Sequence, residues 1–137
     1  MVEKRTRRRM IAFDSNILIY ILENDSYFAD KARKVFLDVQ KDGGVCSALV
    51  ITETLYSNIT RFDQLGPLLS PSITIAPVTQ AIAELAGQLK IKYGIKNIDA
   101  IHVATALNFR AKVFVTNDLP FAQKISQIIP TKTLADF

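Results

Sequence analysis

Short apolar runs alternate with helical segments along the chain, and this alternation constrains the fold more than any other feature of the sequence. Runs of about four mainly apolar residues are typical of buried strands, and the segments between them carry apolar residues at the spacing of amphipathic helices. The predicted strands are 10–13, 45–48, 73–76, 112–115 and a short one within 128–134; the predicted helices are 17–22, 26–42, 49–60, 79–93, 97–108 and 119–127. Such alternation predicts a single α/β domain with a central, mostly parallel sheet flanked by helices.

Glycine and proline residues mark where several of these elements end. Gly43 and Gly44 end the helix 26–42, and Gly94 ends the helix 79–93. The pairs Gly66-Pro67 and Ser70-Pro71 predict a turn-rich connection, because glycine and proline are common turn residues.

The length and composition are those of one folded domain. The chain has 137 residues, of which 49% are hydrophobic and 22% charged, and this composition excludes an intrinsically disordered protein. Its apolar runs are too short to span a bilayer, and its N-terminus lacks the features of a secretory signal. We therefore expect a cytoplasmic protein that has no membrane segment. Cys46, the single cysteine, is expected to be a small buried core residue.

The net charge of +4 lies in the first nine residues. Residues 1–9 contain five basic side chains and one acidic one, whereas residues 10–137 carry equal numbers of acids and bases. We therefore expect a disordered basic tail at 1–9, which could also attract a polyanion, and a folded domain over 10–137. Met10 is an alternative start of translation, which the intact mass of the native protein would test.

Four carboxylates stand where a parallel α/β fold binds its ligands. Ligands of such sheets bind beyond the carboxyl ends of the strands, and Asp14 and Asp118 each follow a predicted strand. Glu53 lies on the helix after the second strand, and Asp99 is in the first turn of the helix 97–108. Each has an ordinary structural explanation when taken alone: a helix cap, a turn residue or an exposed helix residue.

The shared surroundings of these acids point to a metal ion. Asp14, Glu53 and Asp99 are flanked by apolar residues, and no lysine or arginine is adjacent to them or to Asp118 in the sequence. Carboxylates beside a core are costly unless a positive charge compensates them. Oxygen ligands suit Mg²⁺ or Mn²⁺, and the lack of a histidine- or cysteine-rich cluster argues against zinc.

Four short motifs, in this order, resemble those of PIN-domain proteins. They are Phe13-Asp14-Ser15-Asn16, Thr52-Glu53-Thr54-Leu55, Asp99-Ala100 with Ala104, and Val115-Thr116-Asn117-Asp118. The resemblance covers residues 10–134, and the size of the chain is similar to that of VapC-type toxins of toxin–antitoxin pairs. It implies a parallel sheet with the acids gathered at one end, and a Mg²⁺- or Mn²⁺-dependent endoribonuclease.

The resemblance also suggests roles for individual residues. Asp14 and Asp99 are expected to ligate metal directly, Asp118 to be a further ligand either directly or through water, and Glu53 to ligate metal or orient the attacking water. Asn16 and Thr116 would position carboxylates or phosphate, or serve as structural turn and cap residues. His102, three residues after Asp99, is either a general acid or a packed or surface histidine.

Metal-ion chemistry agrees with this expectation, and two alternatives stay open. A divalent ion activates water and stabilises the charge that develops on a phosphoryl group. One alternative is a Mg²⁺-dependent phospho-acceptor or phosphatase domain, although such sites usually have a partner lysine and, in phosphatases, a second aspartate where Asn16 stands. The other is a non-catalytic domain that binds RNA or a protein partner.

The expected partners follow from the resemblance. They are an RNA substrate, a small antitoxin that blocks the acidic pocket, and a second copy of the chain in a homodimer. The helix 26–42 has enough apolar positions to receive a partner. The sequence does not specify the RNA target, the number of metal ions, the identity of an antitoxin, or whether the role is that of a toxin or of RNA processing.

Overall fold

The structure is a computed structural model that describes residues 10–55, 62–69 and 71–137. The predicted basic tail at 1–9 and the end of the predicted helix 49–60 lie outside the described residues. Among the described residues, every helix is too short or too polar to cross a membrane.

Five parallel strands form one central sheet. They are β1 (Ile11–Phe13), β2 (Gly44–Ser47), β3 (Ile73–Ala76), β4 (Val113–Val115) and β5 (Thr131–Lys132), in the order β3-β2-β1-β4-β5. Each neighbouring pair is parallel, so the predicted parallel α/β architecture is confirmed. β1 lies in the middle of the sheet, and Phe13 at its end is in register with Val115 at the end of β4.

Helices cover both faces of the sheet. They are α1 (Ser15–Leu22), α2 (Ala29–Asp42), α3 (Leu49–Leu55), α4 (Phe62–Leu68), α5 (Gln80–Tyr93), α6 (Asn97–Asn108) and α7 (Leu119–Ile125), followed by a 3-10 turn (Leu134–Asp136). Successive strand residues point to opposite faces, and β1 shows the result. Ala12 packs in one core with α5, α6 and α7, whereas Ile11 and Phe13 pack in a second core with α1 to α4.

The predicted turn-rich connection at 66–71 is wrong in its first part, because α4 continues through Gly66 and Pro67. Leu65 is fully buried in the second core, and Leu68 packs against the same core. Tertiary packing of an apolar face stabilises a short helix more than the propensities of its residues do. Burial of the leucines therefore outweighs the turn preference of the Gly-Pro pair.

Two glycines behave as the sequence predicts for helix ends. Gly94 follows α5 with a φ of +67°, the left-handed conformation that glycine adopts without steric cost. Gly43 follows α2 with a φ of +91°. Gly44 has a different reason to be glycine, since a Cβ there would lie 2.7 Å from Cγ1 of Val39. The chain can therefore turn sharply from α2 into β2.

Cys46 is a buried core residue with a free thiol, as expected. Burial raises the pKa of its thiol to about 12, so the thiol stays protonated at neutral pH. Cys46 therefore contributes packing.

Candidate active site

The candidate site lies at the carboxyl ends of β1 and β4, where the order of the strands reverses. The chain leaves β1 into α1 on one face of the sheet, and it leaves β4 into α7 on the other face. Such a reversal opens a crevice in which parallel α/β proteins bind their ligands. Asp14 follows β1 directly, and Thr116, Asn117 and Asp118 follow β4.

Asp14 is a buried carboxylate that is only half satisfied. It is 4% exposed, and its Oδ2 accepts a 2.6 Å hydrogen bond from the hydroxyl of Thr116. Its Oδ1 is buried and has no hydrogen-bond partner among the described residues. Burial, with a smaller contribution from the charge of Asp99, raises the pKa of Asp14 to about 6, and the opposing effects of Thr116 and His102 offset only part of the rise. The fold therefore holds a carboxylate whose charge is poorly compensated.

Thr116 connects the exits of the two strands. Its side chain is fully buried, and its hydroxyl donates to Asp14 while it accepts a 3.2 Å hydrogen bond from the backbone N–H of Asp118. A threonine hydroxyl can donate once and accept twice, so both contacts are compatible. Thr116 therefore positions Asp14, one of the two alternatives that its place in the sequence suggested.

Asp118 begins α7 as its N-cap residue. Its Oδ1 accepts a 3.1 Å hydrogen bond from the backbone N–H of Phe121, and the residue is exposed. The sequence suggested a turn role for Asp118 as its ordinary explanation, and the structure shows a helix cap instead. One carboxylate oxygen caps the helix, while the charge of the same group acts on Asp99.

Asp99 lies in the first turn of α6 and is half-buried. Burial raises its pKa, and the negative charges of Asp118 and Glu53 raise it further, while His102 and Lys96 lower it. Lys96 supplies a positive charge three residues before Asp99, although no lysine or arginine directly adjoins Asp99 in the sequence. Asp99 in turn raises the pKa of Asp14. The four acids named from the sequence therefore share one electrostatic neighbourhood.

Glu53 is held by hydrogen bonds from two other elements. Its Oε1 lies 2.7 Å from Nε2 of His102 on α6, and the hydroxyl of Ser15 also bonds to the carboxylate. Burial raises the pKa of Glu53, but the two hydrogen bonds and the charge of His102 outweigh burial, so the pKa lies below its ordinary value. Glu53 is therefore an anion at neutral pH.

His102 and Ser15 are contacts of the site that the sequence analysis did not assign. His102 is 3% exposed and its Nε2 faces Glu53, so its geometry does not support a general acid that reaches a substrate. One signal was available: residues three apart lie on the same side of a helix, which places His102 beside Asp99. Ser15 appeared only as a helix-capping residue, and nothing in the sequence connects it with Glu53.

The two asparagines of the motifs differ in their surroundings. Asn16 has an exposed side chain, and its backbone lowers the pKa of Asp14 slightly. Asn117 donates a 3.3 Å hydrogen bond to the hydroxyl of Tyr20 on α1. The backbone of Asn16 thus acts on Asp14, while the side chain of Asn117 links the segment after β4 to α1.

The donor atoms suit a hard divalent cation that takes few direct ligands from the protein. Within residues 10–55, 62–69 and 71–137, no group of three or more His, Cys, Asp or Glu side chains is arranged to hold a metal ion. Mg²⁺ commonly takes only one or two carboxylates from a protein and keeps several waters. The unpartnered Oδ1 of Asp14 is a buried carboxylate oxygen that could serve as such a ligand. The residues therefore fit an ion held by one or two carboxylates.

Comparison with known proteins assigns the fold. The PIN domain family model matches residues 11–124, while no curated protein sequence matches significantly. The chain is similar to VapBC2 from Rickettsia felis, solved bound to a DNA fragment from its promoter, with 18% identity and a TM-score of 0.70 over 90% of this chain and 98% of that one. It is also similar to a toxin–antitoxin complex from Klebsiella pneumoniae, with 23% identity and a TM-score of 0.70 over 92% of this chain and 97% of that one. At these identities the structural likeness concerns the fold alone.

Proposed function

The chain belongs to the PIN domain family, and from this premise we propose that it is a metal-dependent endoribonuclease and the toxin of a toxin–antitoxin pair. Asp14 supports the proposal most strongly. A buried carboxylate with an unpartnered oxygen, and a pKa raised to about 6, is destabilising unless a cation binds there. Functional sites often keep such unfavourable groups.

Asp14 and Asp99 would hold Mg²⁺ or Mn²⁺, and Asp118 would contribute through a water molecule. Burial and the negative charges of neighbouring acids raise the pKa of both Asp14 and Asp99, so each gains from a nearby cation. A bound divalent ion supplies an activated water and compensates the negative charge that develops on a phosphoryl group.

The protein side chains perform the remaining tasks. Thr116 fixes the rotamer of Asp14 through their 2.6 Å hydrogen bond, so one carboxylate oxygen stays directed at the site. Glu53 stays ionised at neutral pH, and its side chain is 29% exposed. In the proposed mechanism it accepts a hydrogen bond from the attacking water and orients it toward the phosphate.

An antitoxin is the proposed protein partner. The two similar structures named above are toxin–antitoxin complexes, which supports a partner of this class. Helix α2 offers a surface for it, since Leu37 is 64% exposed beside a groove that Phe36, Pro67 and Leu68 also line. Leu37→Asp should weaken the complex by placing a charge in the apolar interface. Undiminished binding would exclude this surface. A homodimer and a cytoplasmic location also remain proposals.

Cleavage of RNA by the purified protein tests the proposed activity. We expect cleavage with Mn²⁺ or Mg²⁺, none with EDTA, and a loss of about 100-fold or more in Asp14→Asn. Asp38→Asn is the matched control, because Asp38 is an exposed acid on α2 and should be dispensable. Metal-independent cleavage, or full activity of Asp14→Asn, would contradict the proposal.

A non-catalytic binding domain is the second candidate. One observation favours it: no cluster of three potential metal-ligand side chains is present in the described part of the chain. Such a protein would bind RNA without cutting it, and metal would not change its affinity. Inactivity of the wild type together with RNA binding that Asp14→Asn retains would favour this candidate.

A further inference from the structure

The contact between His102 and Glu53 joins two helices at the candidate site. Nε2 of His102 on α6 lies 2.7 Å from Oε1 of Glu53 on α3, across 49 positions of sequence. The imidazole side chain is 2% exposed, whereas that of Glu53 is 29% exposed. The buried imidazole of His102 therefore holds the carboxylate of Glu53, which reaches solvent.

Among the described residues, the imidazole of His102 has one polar contact, the hydrogen bond to Glu53. Its other nitrogen, Nδ1, is buried without a hydrogen-bond partner in the described part of the chain. Since the carboxylate of Glu53 can only accept, Nε2 carries the hydrogen and donates it. With Nδ1 unpartnered, the bond to Glu53 is the one polar contact found for the ring among the described residues. His102 therefore has no other polar group there to position.

Glu53 connects the elements that carry the two proposed metal ligands. Ser15, one of its donors, immediately follows Asp14 at the start of α1, and His102 lies three residues after Asp99 on α6. The carboxylate on α3 thus ties together the two helix starts between which an ion would sit. A shift of Glu53 by an ångström would misdirect any water that it orients.

We propose that His102 is a positioning residue, whose hydrogen bond fixes the Glu53 carboxylate in the orientation from which it directs the attacking water. This inference rests on the proposed nuclease function and assigns His102 no contact with the substrate. It predicts that removal of the Nε2 donor slows the chemical step and leaves binding of RNA and metal intact.

Substitution of His102 tests the role directly. In His102→Leu, which keeps a side chain of comparable bulk without a donor, kcat should fall about 10- to 100-fold while KM for RNA stays within about twofold. His102→Gln should restore most of kcat, because its terminal NH₂ group can donate near the position of Nε2. Binding of Mn²⁺, measured by calorimetry, should not weaken in either variant, because His102 bonds to Glu53 and not to Asp14 or Asp99.

A double-mutant cycle shows whether His102 acts through Glu53. We expect Glu53→Gln with His102→Leu to have the kcat of Glu53→Gln alone, within about twofold, since the donor has no function once the carboxylate is gone. Additive losses would overturn the inference, as would a matching loss of Mn²⁺ affinity or a failure of His102→Gln to restore activity.

Thr105→Val is the matched control for stability. Thr105 is a buried residue on the same helix, and its hydroxyl donates to the carbonyl of Ile101 within that helix. The Thr105→Val substitution should lower the melting temperature without lowering kcat per folded molecule. Full activity of His102→Leu overturns the inference alone, whereas an inactive wild type overturns the proposed function and with it any catalytic role for His102.

Discussion

Thr116 donates a 2.6 Å hydrogen bond to Asp14 although 102 positions of sequence separate them. The bond joins the residue that follows β1 to the one that follows β4, at the edge where the strand order reverses. The same hydroxyl accepts a hydrogen bond from the backbone N–H of Asp118, so one buried side chain holds the residues that follow both strands. The positions of two of the four acids therefore depend on a neutral side chain.

Thr116→Val should lower the stability of the protein and distort the site. The change keeps the shape of the side chain and removes a hydrogen bond to a charged group, which typically contributes about 1.5–3 kcal/mol. We expect the free energy of unfolding to fall by about 2 kcal/mol in urea titrations at pH 8 with EDTA.

Thr116→Ser keeps the hydroxyl and should stay within about 1 kcal/mol of the wild type. The loss in Thr116→Val should shrink at pH 5, where Asp14 is mostly protonated and needs the donor less. Equal stability of the valine and serine variants would show that the hydrogen bond contributes nothing.

The metal-free protein should lose stability through Asp14 as the pH rises. The pKa of this carboxyl is raised from 3.8 to about 6, so between these values the folded state binds a proton that the unfolded state has released. The destabilisation grows as the pH rises through this window and reaches about 3 kcal/mol above it. The raised pKa of Asp99 lowers stability in the same direction, whereas the lowered pKa of Glu53 affects stability only below about pH 4.5.

Asp14→Asn isolates this contribution. The free energy of unfolding of the variant minus that of the wild type, measured in EDTA from pH 5 to pH 8, should increase with pH. If the difference does not change across this range, the folded state does not disfavour the ionised form of Asp14.

Divalent metal should stabilise the wild type more than the variant that lacks Asp14. Mn²⁺ at about 100 times its dissociation constant should add about 2.7 kcal/mol to the free energy of unfolding of a one-site protein. Asp14→Asn should remove most of this gain, and Asp38→Asn should retain it. The readout is the melting temperature with Mn²⁺ and with EDTA, and an equal gain in both variants would place the ion elsewhere.

Gly44→Ala should destabilise the fold by about 1–3 kcal/mol, because the new methyl group enters a packed region. It would lie 2.7 Å from Cγ1 of Val39 and 3.3 Å from Cε1 of Phe13. Gly87→Ala is the matched control: it lies on α5 with open space around it, and alanine there should stabilise the helix by about 0.5–1 kcal/mol. Thermal or urea unfolding of both variants measures the contrast, and equal effects would contradict it.

The sequence predicted the features that local chemistry determines. Four of the five strands appeared as short, mainly apolar runs, and Gly94 ends α5 because glycine alone adopts its backbone conformation freely. Asp14 and Asp118 were located because each follows an apolar strand, and parallel strands bring such residues to one edge. These predictions depend only on neighbouring residues.

What the sequence did not predict depends on contacts between distant elements. The pairing of Glu53 with His102 requires the packing of α3 near α6, which no local pattern specifies. The helical conformation of Gly66 and Pro67 follows from the burial of Leu65, and its energy outweighs the turn preference that the pair shows in isolation. The cap formed by Asp118 was not predicted either, since the sequence suggested a turn role for this residue.

The central position of β1 has a consequence for synthesis of the protein. A ribosome makes β1 first and its neighbour β4 some hundred residues later, while β2 and β3 emerge in between. One half of the sheet can therefore assemble during translation, but the crevice beside Asp14 lacks its second wall until β4 has been made. A message broken upstream of the codon for Val113 would yield a chain without that wall.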